Sequence, residues 1–174
     1  MSSSTGNTRA DACEFTENLQ ILRHIDFFAG LPLDALKVIA YLFTRETFAA
    51  GDRLFQQNSN DGQAFYIFSG TARLFREEEQ GEIVVRDFGP GDFLGGLALC
   101  ADVPRLFSLK AVTEIDCMIL TREKFSKVME QFPQLLPAVL KAVVVAVRTW
   151  EERLFLGETP VSDVCVPTLG VSML

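Results

Sequence analysis

Between Thr44 and Thr121 the chain reads as short runs of β-forming residues, each cut off by a cluster of turn residues, and this rhythm limits the possible folds more than any other feature. The runs are Glu46–Phe48, Arg53–Gln56, Ala64–Ser69, Thr71–Arg76, Ile83–Phe88, Ser108–Val112 and Asp116–Leu120. Turn signals separate them at Gly51-Asp52, Asn58–Gly62, Gly70, Glu77–Gly81 and Gly89–Asp92. Spacing of this kind suits an antiparallel sandwich or jelly roll, in which neighbouring strands are joined by tight turns. Glu77-Glu78-Glu79 has the look of a catalytic acid cluster but falls where a polar hairpin tip is expected, with nothing nearby to raise a carboxylate's pKa.

One stretch interrupts the strand series. From Gly91 to Ala111 the sequence is Gly-Asp-Phe-Leu-Gly-Gly-Leu-Ala-Leu-Cys-Ala-Asp-Val-Pro-Arg-Leu-Phe-Ser-Leu-Lys-Ala. The Gly95-Gly96 pair opens a short apolar run, Gly96 to Cys100, suited to one helical turn, and Arg105 follows it. Free amides at a helix start together with a guanidinium fork make a unit able to grip an anion. The same spacing also fits a surface turn followed by a strand whose arginine is solvated. Rival phosphate motifs fit worse. Gly89, Gly91 and Gly95 do not form a dinucleotide fingerprint, and no Gly-Lys-Ser/Thr loop is present. No nucleophile–base pair or other catalytic constellation is evident, so the chain reads as a non-enzyme.

With its flanks included, this stretch resembles the phosphate-binding cassette of the cyclic-nucleotide-binding domain family, which includes the catabolite activator protein, kinase A regulatory subunits and cyclic-nucleotide-gated channels. Gly51-Asp52 with Leu54-Phe55, then Phe65-Tyr66-Ile67-Phe68 and Gly70, are similar to the family's first hairpins, and Gly89-Pro90-Gly91-Asp92-Phe93 to the turn entering its cassette. The resemblance runs from Phe27 to about Leu154. It implies an α+β, mainly β fold: an antiparallel double-stranded β-helix or jelly roll with flanking N-terminal helices and a long C-terminal helix.

The resemblance also implies which residues would meet a ligand. Arg105 matches the family's phosphate-binding arginine, Ala111 a following small residue, and Gly95, Gly96, Leu97 and Ala98 the amide-bearing turn. Cyclic-nucleotide binders usually carry Gly-Glu at that turn, the glutamate accepting the ribose hydroxyl, whereas this chain has Gly95-Gly96. The two positions after the arginine are usually small and are here Leu106 and Phe107. Side chains alternate along a β segment, so one of these two is expected to point into the pocket and crowd it. Trp150 aligns where the family contacts the base and has the indole to stack on a purine. Its other reading is a packing residue of a helical seam.

Composition fits one domain. A chain of 174 residues with 48% hydrophobic content can bury a single proper core. A net charge of −7, from 16 basic and 23 acidic residues, argues against nonspecific nucleic-acid binding, which needs clustered positive charge. Cys13, Cys100, Cys117 and Cys165 are dispersed without metal-ligand spacing, which reads as reduced thiols in the cytoplasm and no metal site. No apolar run reaches membrane-spanning length and no leader pattern opens the chain. His24 is the only histidine; a haem sensor on this fold would have to draw its axial ligands from His24 and the four cysteines.

Helical periodicity appears on both flanks of the strand region. Residues 1–12 are polar and aperiodic and read as a mobile tail. Helices are expected over Phe15–Phe28, Leu33–Phe43, Arg122–Phe132 and about Gln134–Leu156, with Pro137 tolerable in the first turn of the last. Along that last helix Leu136, Leu140, Val143, Val147, Trp150 and Leu154 are spaced 4, 3, 4, 3 and 4, a seven-residue seam suited to a parallel homodimer. The domain is thus expected to span 13–156, with 157–174 a tail. The 17 residues after Gly157 are too few for the winged helix-turn-helix that follows this helix in the family's transcription factors, so no direct DNA binding is expected.

Besides a haem-based sensor on the same fold, two functions remain open on these grounds. One is a regulatory sensor whose cyclic-nucleotide site is degenerate or retuned to another anionic ligand, acting on a separate output protein. The other is a protein-interaction module whose pocket its own side chains fill.

Overall fold

A computed structural model describes residues 5–155, with side chains over 14–148. Helices α1 (Thr5–Leu22) and α2 (Leu33–Leu42) lead into strands β1 (Thr44–Phe48), β2 (Arg53–Phe55), β3 (Gln63–Ser69), β4 (Ala72–Glu78), β5 (Gly81–Phe88) and β6 (Phe93–Leu94). The short α3 (Gly96–Cys100) follows, then β7 (Ser108–Ala111), β8 (Ile115–Thr121), α4 (Arg122–Gln131), a 3-10 turn (Pro133–Leu135) and α5 (Leu136–Phe155). All seven expected strands form, and the cassette is helical where expected. The addition is β6, two residues paired with β3 through Phe65↔Leu94 and Tyr66↔Phe93. A strand this short has no periodicity to reveal it.

The strands build two antiparallel sheets, ordered β1-β8-β3-β6 and β2-β7-β4-β5. Their facing sides close over one apolar core: Phe65, Ile67, Ile115, Cys117 and Ile119 from the first sheet, Phe55, Leu74, Leu109 and Ala111 from the second. The opposite face of the first sheet sends Ala64, Met118 and Leu120 into a second core shared with the helices, where Leu22, Phe28, Ile39, Phe125 and Leu135 are buried. β8 is therefore apolar on both faces, with Ile115, Cys117 and Ile119 pointing one way and Met118 and Leu120 the other. The outer face of the second sheet is charged. There Arg73 pairs with Asp87 at 2.7 Å, Arg53 with Glu77 at 2.7 Å, and Lys110 with Glu82.

Two helical expectations need correction. Residues 5–12 are helical rather than a mobile tail, because a helix nucleated by packed turns near Leu19 and Leu22 extends at little cost per residue; residues 1–4 and the 157–174 tail lie outside the described residues. The first helix also ends at Leu22, not Phe28. From there the chain tightens into turns closed by His24 N→Ile21 O and Phe28 N→Ile25 O, both 2.9 Å, and Leu31 N→Phe28 O, 3.0 Å. Three-residue turns bring Ile25, Phe28 and Leu31 all onto the core, which a continuing α-helix would rotate away.

The seam on α5 is also displaced. Leu135, Val139 and Val143 form the row that packs on the helical core, so Val143 faces inward. Leu136, Leu140 and Val144 form the solvent-facing row, at 55%, 65% and 57% exposure. A straight helix at 3.6 residues per turn drifts from a strict seven-residue repeat, and a four-residue step holds each row together. The side chains of Trp150 and Leu154 lie outside the described residues.

Candidate functional site

The cassette is shaped by Gly95. Its backbone is left-handed, φ +85°, and an added Cβ would lie 2.7 Å from Gln63 O and 2.9 Å from Arg105 Nη1. Only glycine lets the chain turn here while touching both β3 and the guanidinium. The turn starts α3, whose Leu99 is buried in the helical core. At that start the amide of Ala98 already donates to Gly95 O at 3.0 Å, so Ala98 offers packing rather than a free donor. Gly96 and Leu97 occupy the first positions, where helical amides have no partner within the helix.

Arg105 is not a solvated strand residue: it is 4% exposed. Its backbone is clamped to the β2–β3 loop by Arg105 N→Ser59 O and Asn58 N→Arg105 O, both 2.8 Å. Its guanidinium makes a two-pronged contact with Asp61, Nε to Oδ2 at 2.9 Å and Nη2 to Oδ1 at 2.5 Å, and Nη2 also donates to Gln63 O. The guanidinium lies 4.2 Å above the Phe55 ring. This arrangement satisfies one edge of the fork and leaves Nη1, which faces the Gly95 turn, without a hydrogen-bond partner among the described residues.

Asp61 is held in turn. Its Oδ1 accepts from Gln63 N at 2.8 Å and its Oδ2 from Ser59 Oγ at 3.3 Å. Burial pushes its carboxyl up, but the hydrogen bonds and charge of Arg105 outweigh that, and the group titrates below the ordinary carboxylate range. Arg105 and Asp61 together are close to neutral. Attraction of an anion here therefore depends on directed N–H donors rather than on net positive charge.

The two residues after Arg105 separate as a β-type alternation requires. Phe107 turns inward and is 3% exposed within the core between the sheets, while Leu106 faces out at 38%. Ser108 is buried, its Oγ accepting from Gln57 N at 2.9 Å. Trp150 belongs to α5, but its side chain is outside the described residues. His24 is exposed beyond the end of α1, with Nδ1 2.8 Å from Gln20 O. Among the described residues no group of three His, Cys, Asp or Glu side chains is arranged to hold a metal.

Sequence reading missed Asp61, Gln63 and Arg122. Asp61 lies in Asn60-Asp61-Gly62, a turn signature that hides a second role. Arg122 opens α4 and donates from Nε to Ala98 O at 2.7 Å and from Nη2 to Asn60 Oδ1 at 2.6 Å.

This arrangement, a roll interrupted by a glycine-started helical turn with a buried arginine behind it, is matched by a family model described as the cyclic nucleotide-binding domain, over residues 45–132. The chain belongs to the cyclic nucleotide-binding domain family. It is 28% identical over 128 residues to a cAMP-dependent protein kinase regulatory subunit of Dictyostelium discoideum, covering 71% of this chain and 37% of that protein. A subunit with the same description from Hypocrea atroviridis is 32% identical over 116 residues, covering 66% and 23%. The chain thus spans well under half the length of these relatives. Among solved structures, a cyclic nucleotide-binding-like protein from Brucella abortus superposes with a TM-score of 0.60 at 30% identity, covering 66% of this chain and 98% of that one. The catabolite activator protein of Thermus thermophilus gives 0.60 at 28%, covering 76% and 62%. Among the described residues no single helix is long and apolar enough to cross a membrane.

Proposed function

We propose that this chain is a non-enzymatic regulatory module, cytoplasmic and homodimeric, whose cassette accepts a cyclic nucleoside monophosphate only weakly. The observation that carries this reading is the state of Arg105, buried and bonded to Asp61 along one edge while Nη1 remains open towards the Gly95 turn. A phosphate there would receive Nη1 and the amides of Gly96 and Leu97. Kinship with cAMP-dependent kinase subunits and a catabolite activator supports the ligand class. Gly96 supplies no carboxylate for a ribose hydroxyl, and a missing charged hydrogen bond costs about 1.5–3 kcal/mol, roughly ten- to a hundredfold in affinity. The exposed row Leu136, Leu140 and Val144 supports pairing of two copies through α5.

Isothermal titration with cyclic AMP and cyclic GMP tests the reading. Saturable but weak binding is expected, tightened roughly ten- to a hundredfold by Gly96→Glu. Gly96 is not among the residues with positive φ, so a side chain there brings no backbone strain. The second reading, an interaction module with a self-filled pocket, is favoured by Phe107, which sits inside the roll. Absence of heat with both the natural chain and Gly96→Glu would overturn the first reading and favour the second.

A further inference from the structure

Two arginines grip consecutive residues of the β2–β3 loop. Arg105, at the end of the cassette, takes Asp61 and Gln63 O. Arg122, on α4, takes Asn60 through Nη2, and its backbone amide donates to Gly62 O at 2.6 Å. Arg122 also reaches the cassette itself. Nε bonds to Ala98 O in α3, and Nη1 lies 3.6 Å from Asp102 in the segment leaving α3. Gly62 allows this approach: a Cβ there, at φ +63°, would come within 3.1 Å of the Arg122 side chain. A helix of five residues has little stability of its own, so what α3 bonds to outside itself decides where it sits.

We infer that Arg122 is a positioning residue for the anion site. Its fork ties α3 to the β2–β3 loop, and so keeps the Gly95 turn against Nη1 of Arg105. It touches no ligand on this reading; it acts through Ala98 O and Asn60. The inference rests on the cassette being the binding site proposed above, but its first readout needs no ligand. An arginine is required because one planar group must reach a backbone carbonyl and a side-chain amide oxygen at once.

Hydrogen exchange on Arg122→Met should speed the amides of Ala98–Ala101 by about tenfold or more while β3 and β8 amides keep their protection. Unchanged exchange in α3, or an equal rise through the whole core, would overturn the inference. Titration of cyclic AMP should show affinity about tenfold weaker in Arg122→Met, with Arg122→Lys in between because an ammonium reaches one partner but not both. If the natural chain binds cyclic AMP and Arg122→Met binds it equally well, the inference also fails. If neither the natural chain nor Gly96→Glu binds any, the proposed function fails and the exchange experiment alone decides on Arg122. Should Arg122→Met not fold, Asn60→Ala removes one prong from an exposed position. A smaller acceleration confined to the same α3 amides is then expected, and its absence would overturn the inference.

Discussion

At the scale of single residues, the contact between Arg105 and Asp61 has the largest consequences. Removing one partner of a buried ion pair leaves the other charge uncompensated, so Asp61→Ala is expected to cost about 3 kcal/mol, the lower end for such pairs because Asp61 keeps some exposure. Urea unfolding monitored by circular dichroism measures this directly. The pH dependence has a definite sign. The carboxyl of Asp61 is depressed in the folded chain, so its contribution is fully present above the unfolded-state value of about 4 and is lost as pH falls through the lower folded-state value. The stability gap between the natural chain and Asp61→Ala should therefore be constant from pH 7 to 5 and shrink below about pH 4. A gap that widened on acidification would refute the assignment. Cys117 gives a second residue-level test. Burial first, then the nearby Glu46 and Asp116 charges, push its thiol up to about 12, so iodoacetamide at pH 8 should label it only after unfolding. From the sequence Arg105 was legible as the anion-facing residue because family resemblance marks it. Its carboxylate partner was not, because Asp61 lies 44 residues away in a turn and only folding brings the two together.

At the scale of elements, α5 carries two rows with opposite fates. Leu135, Val139 and Val143 pack on the helical core, whereas Leu136, Leu140 and Val144 are open to solvent. Leu140→Asp should leave the stability of the single subunit nearly unchanged, since an exposed substitution usually moves stability by less than about 0.5 kcal/mol, so a fall in the thermal midpoint would report the lost dimer. The substitution should also convert a homodimer to a monomer in sedimentation velocity. A dimer that survived Leu140→Asp and Val144→Asp together would exclude this face. The apolar spacing announced a helix and a seam, but the register between core row and free row depends on which side of α5 packs on the helical core, a decision made by packing. The same holds at the N-terminus. The apolar residues from Ile25 to Leu31 are there in the sequence, yet tight turns rather than helix bring them inward.

At the scale of the whole molecule, the first sheet is a shared wall between two cores, and an aromatic cluster fastens the helical side of it. Phe28 is fully buried, with ring centroids 5.0 Å from Phe27, 5.3 Å from Phe93, 6.4 Å from Phe125 and 6.5 Å from Phe43. These rings come from the turn after α1, from β6 beside the cassette, from α4 and from the α2–β1 junction. Phe28→Ala should cost about 3–5 kcal/mol and lower the urea midpoint in one cooperative step, because the deletion opens a cavity where the helices meet the first sheet. A separate early transition of the helices would show that the layers fold independently. By itself the sequence determined what is written in local spacing: seven of the eight strands and their order, the glycine-started helical turn, the presence of helices on both flanks and the absence of a carboxylate at Gly96. Those features depend on backbone propensity and on the periodicity of neighbouring residues, which operate over a few positions of chain. Only the tertiary structure decided that Asp61 meets Arg105, that Arg122 holds α3, that Phe107 enters the roll while Leu106 leaves it, and which face of α5 stays free. Each of these is a contact between residues far apart in sequence, selected by burial and by the pairing of buried charge, and no local pattern encodes its partner.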